Sequence, residues 1–216
     1  MGINQESYQK LVAELGVKII LVAVSKTKPV EDILALYKLG QRDFGENYVQ
    51  EMVGKAGQLP RNIRWHFIGH LQTNKVKFIA PFVHLIHGVD RLKLLKEINK
   101  EALKNKRVLD VLLQVHIAQE ETKFGLDEVE LDEILYGNNN GVNELKNVRV
   151  AGLMGMASLT NDMNKVRAEF VHLKRLFDKY EKLQTLSMGM SSDYKIAIEE
   201  GSNMVRIGSL IFGERD

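Results

Sequence analysis

The sequence predicts an α/β fold, a single-domain (β/α)8 TIM barrel with an extra N-terminal helix. Three observations predict it. Short apolar runs of strand length alternate with amphipathic stretches of helical period from end to end. Eight such strand-then-helix units can be counted, and eight parallel units joined by right-handed crossovers close into a barrel. The chain of 216 residues carries no Pro/Ser-rich linker or composition break, so one domain over residues 1–216 is expected. An open doubly wound sheet is the alternative that the same alternation allows.

The elements follow in order. Tyr8, Leu11, Val12 and Leu15 fall at helical spacing, and Gly16 closes this first helix. The run 18–25 is almost continuously apolar, as a strand covered on both faces should be. Pro29 then sits in a helix first turn, with Glu31 and Asp32 at its positive end, Val30, Ile33, Leu34 and Tyr37 as the stripe, and Gly40 as the stop. Arg42–Gly45 is a short strand, followed by a helix carrying Val49, Met52, Val53 and Ala56. Ile63–Ile68 is the third strand, followed by Leu71, Val76 and Ile79. Val83–Gly88 is the fourth, with Asp90 as the cap of a helix carrying Leu95, Ile98 and Ala102. Val108–Val115 is the fifth, followed by a polar loop, Ala118–Gly125, and a helix over 126–136. GNNNG at 137–141 is a loose connection. Val148–Met154 is the sixth strand, and a long helix over 162–183 presents Val166, Phe170, Leu173 and Phe177 on one face. Leu183–Met188 is the seventh strand, Ser192–Glu200 a helix closed by Gly201, Met204–Ile207 the last strand, and Ser209–Phe212 a short apolar end.

Composition narrows the function. The formal charge is +2, from 30 basic and 28 acidic residues, which argues neither for nucleic acid nor for an anionic membrane. There is no cysteine, so disulfides, thiolate catalysis and cysteine-ligated zinc are excluded. No run reaches the length of a membrane span, and the start MGINQESYQK lacks the apolar core of a secretory signal. Gly2 lacks the Ser or Thr that a myristoylation signal requires further on. A cytoplasmic protein is expected.

In such a barrel the strand C-termini converge on one mouth, where chemistry is placed. Lys26 ends the first strand; alone it reads as a surface lysine capping that strand, but if buried there its ammonium is disfavoured and the amine can attack an aldehyde. Glu46 and Asn47 follow strand two. Loops after strands seven and eight are the habitual phosphate site of this fold. There, Ser191 and Ser192 are expected to open a helix whose free N–H groups attract an anion. Gly208 permits close backbone approach, and Ser209 adds a hydroxyl. An N-cap and a tight turn are the plain readings of these same residues.

Arg206 lies in an apolar strand and needs an acceptor, either a barrel carboxylate or a ligand. His66, between Trp65 and Phe67, reads as a core histidine with its bonds satisfied, and His70 as a mouth candidate. His84 and His87 flank strand four without a partner carboxylate at metal spacing, so no metal is assigned. His116 and Lys123 border the strand-five loop, either lining the mouth or solvated, and Glu120 and Glu121 beside Lys123 form a solvated charge cluster.

An imine-forming lysine facing a phosphate pocket describes a pyridoxal 5′-phosphate site. The segments AVSKTKP, FGENYVQE, WHFIGHLQTNK, LMGM, LSMGMSSD and VRIGSLIFGER, spread from Val22 to Arg215, resemble the YggS/PROSC family of pyridoxal phosphate homeostasis proteins. The resemblance implies a barrel similar to the N-terminal domain of alanine racemase. It implies that Lys26 holds the cofactor as an internal aldimine, that Asn47 lies beside the ring, and that Arg206 faces the pyridine nitrogen. Ser191, Gly208 and Ser209 fall in its phosphate-binding blocks. The chain departs from the family pattern at Ser209, where threonine is common, at His116, where asparagine is usual, and near Ser158, where proline is common.

A racemase needs acid/base groups on both faces of the cofactor plane, and in racemases of this fold one comes from a second domain. The chain ends at Asp216, just after strand eight, so no such domain is expected. Arginine also keeps its proton, which leaves the pyridine nitrogen neutral and the ring a weaker electron sink. The expected function is therefore to hold pyridoxal phosphate for vitamin B6 homeostasis without substantial turnover, with pyridoxal phosphate-dependent apo-enzymes as partners. A racemase-like enzyme and a Schiff-base aldolase of the same fold are the alternatives.

Overall fold

A computed structural model of the chain describes residues 2–118, 124–137 and 142–213. Glu120, Glu121, Lys123, Arg215 and most of the 137–141 connection lie outside the described residues. The strands are β1 (Ile20–Val24), β2 (Asp43–Glu46), β3 (Arg64–Phe67), β4 (Leu85–Val89), β5 (Leu109–Gln114), β6 (Val148–Met154), β7 (Thr185–Ser187) and β8 (Met204–Ile207). They pair in parallel in chain order, and β1 pairs with β8 to close the barrel. The barrel, not the open sheet, is the observed solution.

The helices lie between them. They are α1 (Gln5–Leu15), α2 (Val30–Lys38), α3 (Val49–Ala56), α4 (Val76–Ile79), α5 (Leu92–Lys104), α6 (Glu128–Tyr136), α7 (Met163–Asp178), α8 (Tyr194–Glu199) and α9 (Ser209–Phe212). The extra N-terminal helix α1 is capped by Asn4, whose side chain accepts the Ser7 N–H at 3.0 Å. None of the described helices is long and apolar enough to cross a membrane.

Two apolar clusters result. The larger joins the helix stripes to the outward faces of the strands, with Ile33, Leu36, Phe44, Phe67, Ile98 and Phe170 fully buried. The smaller draws its buried members from strands alone: Val22, Leu85, Leu112, Met154 and Met204. It is the packed lumen. Side chains alternate along a strand, so His87, Gln114 and Arg206, each two residues beyond a lumen residue, also face inward. His66 does likewise, since its neighbours Trp65 and Phe67 belong to the outer cluster.

Three expected boundaries move, each for a local reason. The helix after strand six stops at Asp178, not at 183, because the N–H groups of Lys179 and Tyr180 bond back three residues and tighten the chain into a turn. Asp90 does not cap α5. Its carboxylate is taken by His70, with Nδ1 at 3.1 Å, and by Arg91, and Arg91 becomes the N-cap without a side-chain bond. The helix expected from Ser192 begins at Tyr194. Asp193 accepts the Met190 N–H at 2.5 Å and fixes residues 191–193 as a turn.

Candidate functional site

Strand register brings the singled-out residues to one end of the barrel. A cavity of about 320 Å³ opens there, and its wall includes Lys26, Asn47, Ser191, Arg206, Gly208 and Ser209 together. Ser192, expected beside Ser191, lies in the same wall, and Lys28, Ile68, Met156, Met190 and Gly213 complete much of the remainder. These last five stand out by no residue type in the sequence, and of them Ile68, Met156 and Met190 share only a position just beyond a strand C-terminus.

Lys26 sits two residues past the end of β1, half-buried rather than enclosed within the strand. Its backbone is held on both sides. The Ser25 N–H donates to Gly45 O at 2.9 Å, extending the β1–β2 ladder. The Ser25 carbonyl accepts from Lys55 Nζ at 2.7 Å. Thr27, with φ of 64°, takes a conformation unusual for a β-branched residue, and its N–H donates to Glu51 Oε1 at 2.6 Å. Lys55 Nζ also donates to Glu46 Oε1 at 2.8 Å and to Glu51 Oε1 at 2.7 Å. Ser25 Oγ donates to Glu46 Oε1 at 2.5 Å. Burial pushes the Glu46 carboxyl above its ordinary range, with Lys55 and Ser25 acting in the opposite direction. Glu46 and Asn47 stand together in sequence; only the fold shows that Glu46 is tied to Ser25 and to Lys55 of α3 while Asn47 lies in the cavity wall. Asn47 Oδ1 is buried and has no hydrogen-bond partner among the described residues.

Arg206 closes the floor. It is 4% exposed, and its guanidinium donates from Nη1 to Ser187 O (2.9 Å) and Ser187 Oγ (2.6 Å), and from Nη2 to Gly155 O (3.0 Å). Of the two acceptors weighed for it, the barrel carboxylate is absent among the described residues. Neutral oxygens of Ser187 and Gly155 take its place. Burial lowers its pKa to about 10, with the Asp193 charge offsetting part of the loss.

Beyond β7 and β8, the Gly208 N–H donates to Ser191 Oγ at 3.4 Å. Ser191 and Ser192 line the cavity from a turn and do not open the helix. A Cβ added at Gly208 would stand 3.3 Å from both the Val24 Cβ and the Val24 carbonyl, so the backbone runs close to β1 there.

The histidines separate. His70 is exposed, stacked on Phe124 at 4.3 Å and paired with Asp90. His116 is half-buried beside the β5 end. His66 is buried with both nitrogens engaged, by Asp43 and by His87 at 2.9 Å each. The expectation that His84 lacks a partner carboxylate at metal spacing is corrected; for His87 no carboxylate joins such a group among the described residues. Asp43, from β2, lies beside His66 and His84 at the base of the barrel, with ligand-type atoms within 4.8 Å of one another. Arg64 holds both Asp43 oxygens, from Nε at 2.7 Å and from Nη2, so this carboxylate is satisfied by a guanidinium.

Fold and cavity together define a parallel α/β barrel with a lysine-bearing pocket at its C-terminal mouth. The chain belongs to the alanine racemase N-terminal domain family, whose model matches residues 4–216. It is 45% identical over 201 residues to the pyridoxal phosphate homeostasis protein of Aquifex aeolicus (strain VF5), covering 90% of this chain and 86% of that protein. It is 40% identical over 207 residues to the protein of the same name from Escherichia coli (strain K12), covering 92% and 87%. The solved structure of PipY from Synechococcus elongatus PCC7942, with PLP bound, superposes with a TM-score of 0.88 at 32% identity, covering 96% of this chain and 99% of that one. Alanine racemase from Clostridium difficile 630 shares the fold at a TM-score of 0.79 and 14% identity, over 56% of its own length.

Proposed function

We propose that this protein binds pyridoxal 5′-phosphate in the mouth cavity and serves the homeostasis of that cofactor in the cytoplasm, without substantial turnover. The observation that carries the reading is the convergence of a primary amine, a guanidinium and a serine–glycine–serine rim on one cavity. The similarity to PipY, solved with PLP, and to proteins named for pyridoxal phosphate homeostasis supports it.

The residues present fit the group. Pyridoxal phosphate supplies an aldehyde that condenses with a primary amine and loses water, and Lys26 is the amine in this wall. Ser191, the Gly208 backbone and Ser209 offer donors for a phosphate. Asn47, in the cavity wall with a partnerless side-chain oxygen, would stand beside the ring. Arg206 stands in the floor and, as an arginine, keeps its own proton.

Low turnover is supported by the composition of the cavity wall. Its described residues include no tyrosine, histidine or carboxylate to move a proton opposite Lys26. The second lysine, Lys28, donates to the Phe212 carbonyl at 3.2 Å. A holding site of this kind suits release to pyridoxal phosphate-dependent apo-enzymes.

The absorbance spectrum of the purified protein mixed with pyridoxal phosphate tests the reading. A chromophore that borohydride fixes covalently, and that Lys26→Ala abolishes, is expected. An identical spectrum in Lys26→Ala would sink the assignment. Sustained racemisation of alanine or serine by wild type would sink the non-catalytic half.

A further inference from the structure

A file of polar side chains crosses the lumen from the cavity floor to the base of the barrel. Arg206 Nη1 donates to Ser187 Oγ at 2.6 Å. Ser187 Oγ lies 3.3 Å from His87 Nδ1, and His87 Nε2 lies 2.9 Å from His66 Nδ1. His66 Nε2 lies 2.9 Å from Asp43 Oδ1, and Arg64 Nε donates to that same oxygen at 2.7 Å. His87 and Ser187 are fully buried, and His66 is 1% exposed. Apolar side chains of similar volume would fill a barrel lumen at lower desolvation cost, so this file has a role to explain.

Its two ends decide which way the hydrogens point. An arginine only donates, and an ionised carboxylate only accepts. Burial opposes ionisation of Asp43, yet hydrogen bonds from Arg64 and His66 outweigh it, and the carboxyl titrates at about 2. His66 therefore donates from Nε2. A single direction then uses every hydrogen once: Arg206 to Ser187, Ser187 O–H to His87 Nδ1, His87 Nε2–H to His66 Nδ1, and His66 Nε2–H to Asp43. The reverse direction places protons on both His66 nitrogens and leaves the Ser187 hydroxyl hydrogen without an acceptor in the file. Burial, the largest cause, also holds the His87 pKa well below the usual imidazole range, and the Arg206 charge acts in the same direction.

We propose that His66 and His87 are positioning residues for Arg206: as neutral Nε2–H tautomers they form, with Ser187, a hydrogen-bond file linking the cavity-floor guanidinium to the Asp43–Arg64 pair at the base of the barrel. Arg206 makes no ion pair among the described residues, and the Asp193 charge offsets only part of its burial, so neutral dipoles have to supply the rest. Aligned O–H and N–H dipoles turn their negative ends toward the guanidinium and polarise one another along the file. The file also fixes the plane and depth of Arg206 beneath the ligand. That consequence rests on the proposed cofactor function; the direction of the hydrogens does not.

Nitrogen NMR of the imidazoles in the full chain at neutral pH tests the file directly. Both His66 and His87 should show one protonated and one bare ring nitrogen, with Nδ1 bare in each. Ser187→Ala should move the His87 Nδ1 resonance and weaken pyridoxal phosphate binding about tenfold, the order of one hydrogen bond to a charged group. Asp43→Asn should shift both rings, which independent core histidines would not do. An imidazolium or an Nδ1–H tautomer at either position in wild type overturns the proposal. So does a Ser187→Ala protein with unchanged His87 resonances and unchanged affinity. If wild type takes up no pyridoxal phosphate, the cofactor reading fails by itself, while the wild-type tautomers still decide the file.

Discussion

Glu51 accepts the Thr27 backbone N–H at 2.6 Å and, through the same oxygen, the Lys55 ammonium at 2.7 Å. One carboxylate oxygen thus joins the strained residue after Lys26 to a second, buried lysine. Lys55 in turn holds the carbonyl of Ser25, the residue before Lys26. The mouth lysine is aimed by a clamp that gathers two backbone groups around one ammonium.

Removing that ammonium should be costly. Lys55 is buried and pairs with Glu46 and Glu51, whose side chains are 0% and 23% exposed. Lys55→Met leaves the buried Glu46 carboxylate without its partner, and breaking such a pair costs about 3–5 kcal/mol. Urea unfolding at neutral pH should show this loss. The deficit should shrink in mild acid, because the Glu46 carboxyl, raised above its ordinary range, protonates early and sheds the unpaired charge. A variant as stable as wild type at neutral pH would contradict the clamp.

Gly69 tests how β3 sets Asn47. A Cβ at position 69 would lie 2.5 Å from the Asn47 carbonyl and 2.9 Å from the Asn47 Cα, both backbone atoms that cannot swing away. Gly69→Ala should cost about 1–3 kcal/mol of stability by overpacking. It should also weaken ligand binding, since Asn47 is the residue displaced. Calorimetric unfolding and a binding titration of the same variant should both respond.

Acid should unlock the base of the barrel. Asp43 titrates at about 2 in the fold against an ordinary 3.8, so its ion pair stabilises the native state fully above the unfolded value and loses that contribution as pH falls toward the folded one. The shift corresponds to about 2 kcal/mol. Asp43→Asn should trail wild type in unfolding free energy at pH 5 and above, and the gap should close as pH approaches 2. A gap independent of pH would place the effect elsewhere.

Arg206→Lys probes the guanidinium geometry. Lysine keeps the charge but cannot span Ser187 and Gly155 with a planar fork. A loss of about 1–3 kcal/mol is expected from carbonyls left without their donor. Denaturant midpoints of the two proteins give the comparison.

The fold was legible because its signals are local. Eight apolar runs separated by helical stripes, with Gly40 and Gly201 as stops, carry a period that no other element disturbs, and residues 18–25 read as a doubly covered strand without help from their neighbours. Boundaries failed where a tertiary partner competed for a cap. Asp90 went to His70 and Arg91, and Asp193 went to Met190. The turn at Lys179 and Tyr180 was hidden because Tyr180 and Leu183 keep the apolar spacing of a helix after the backbone has left it.

The candidate site divides the same way. That Lys26, Asn47, Ser191, Arg206, Gly208 and Ser209 stand at or near strand C-termini follows from the order of residues, because parallel strands must all end on one face. Which of them touch the cavity, what Arg206 bonds to, and the pairing of Lys55 with Ser25 and Glu46 were settled only by strand register. The file from Asp43 through His66 and His87 to Ser187 joins β2, β3, β4 and β7, which no local pattern relates. Hydrophobic period is written along the chain, whereas hydrogen-bond partners across a barrel are set by which strands become neighbours and by how far each is shifted.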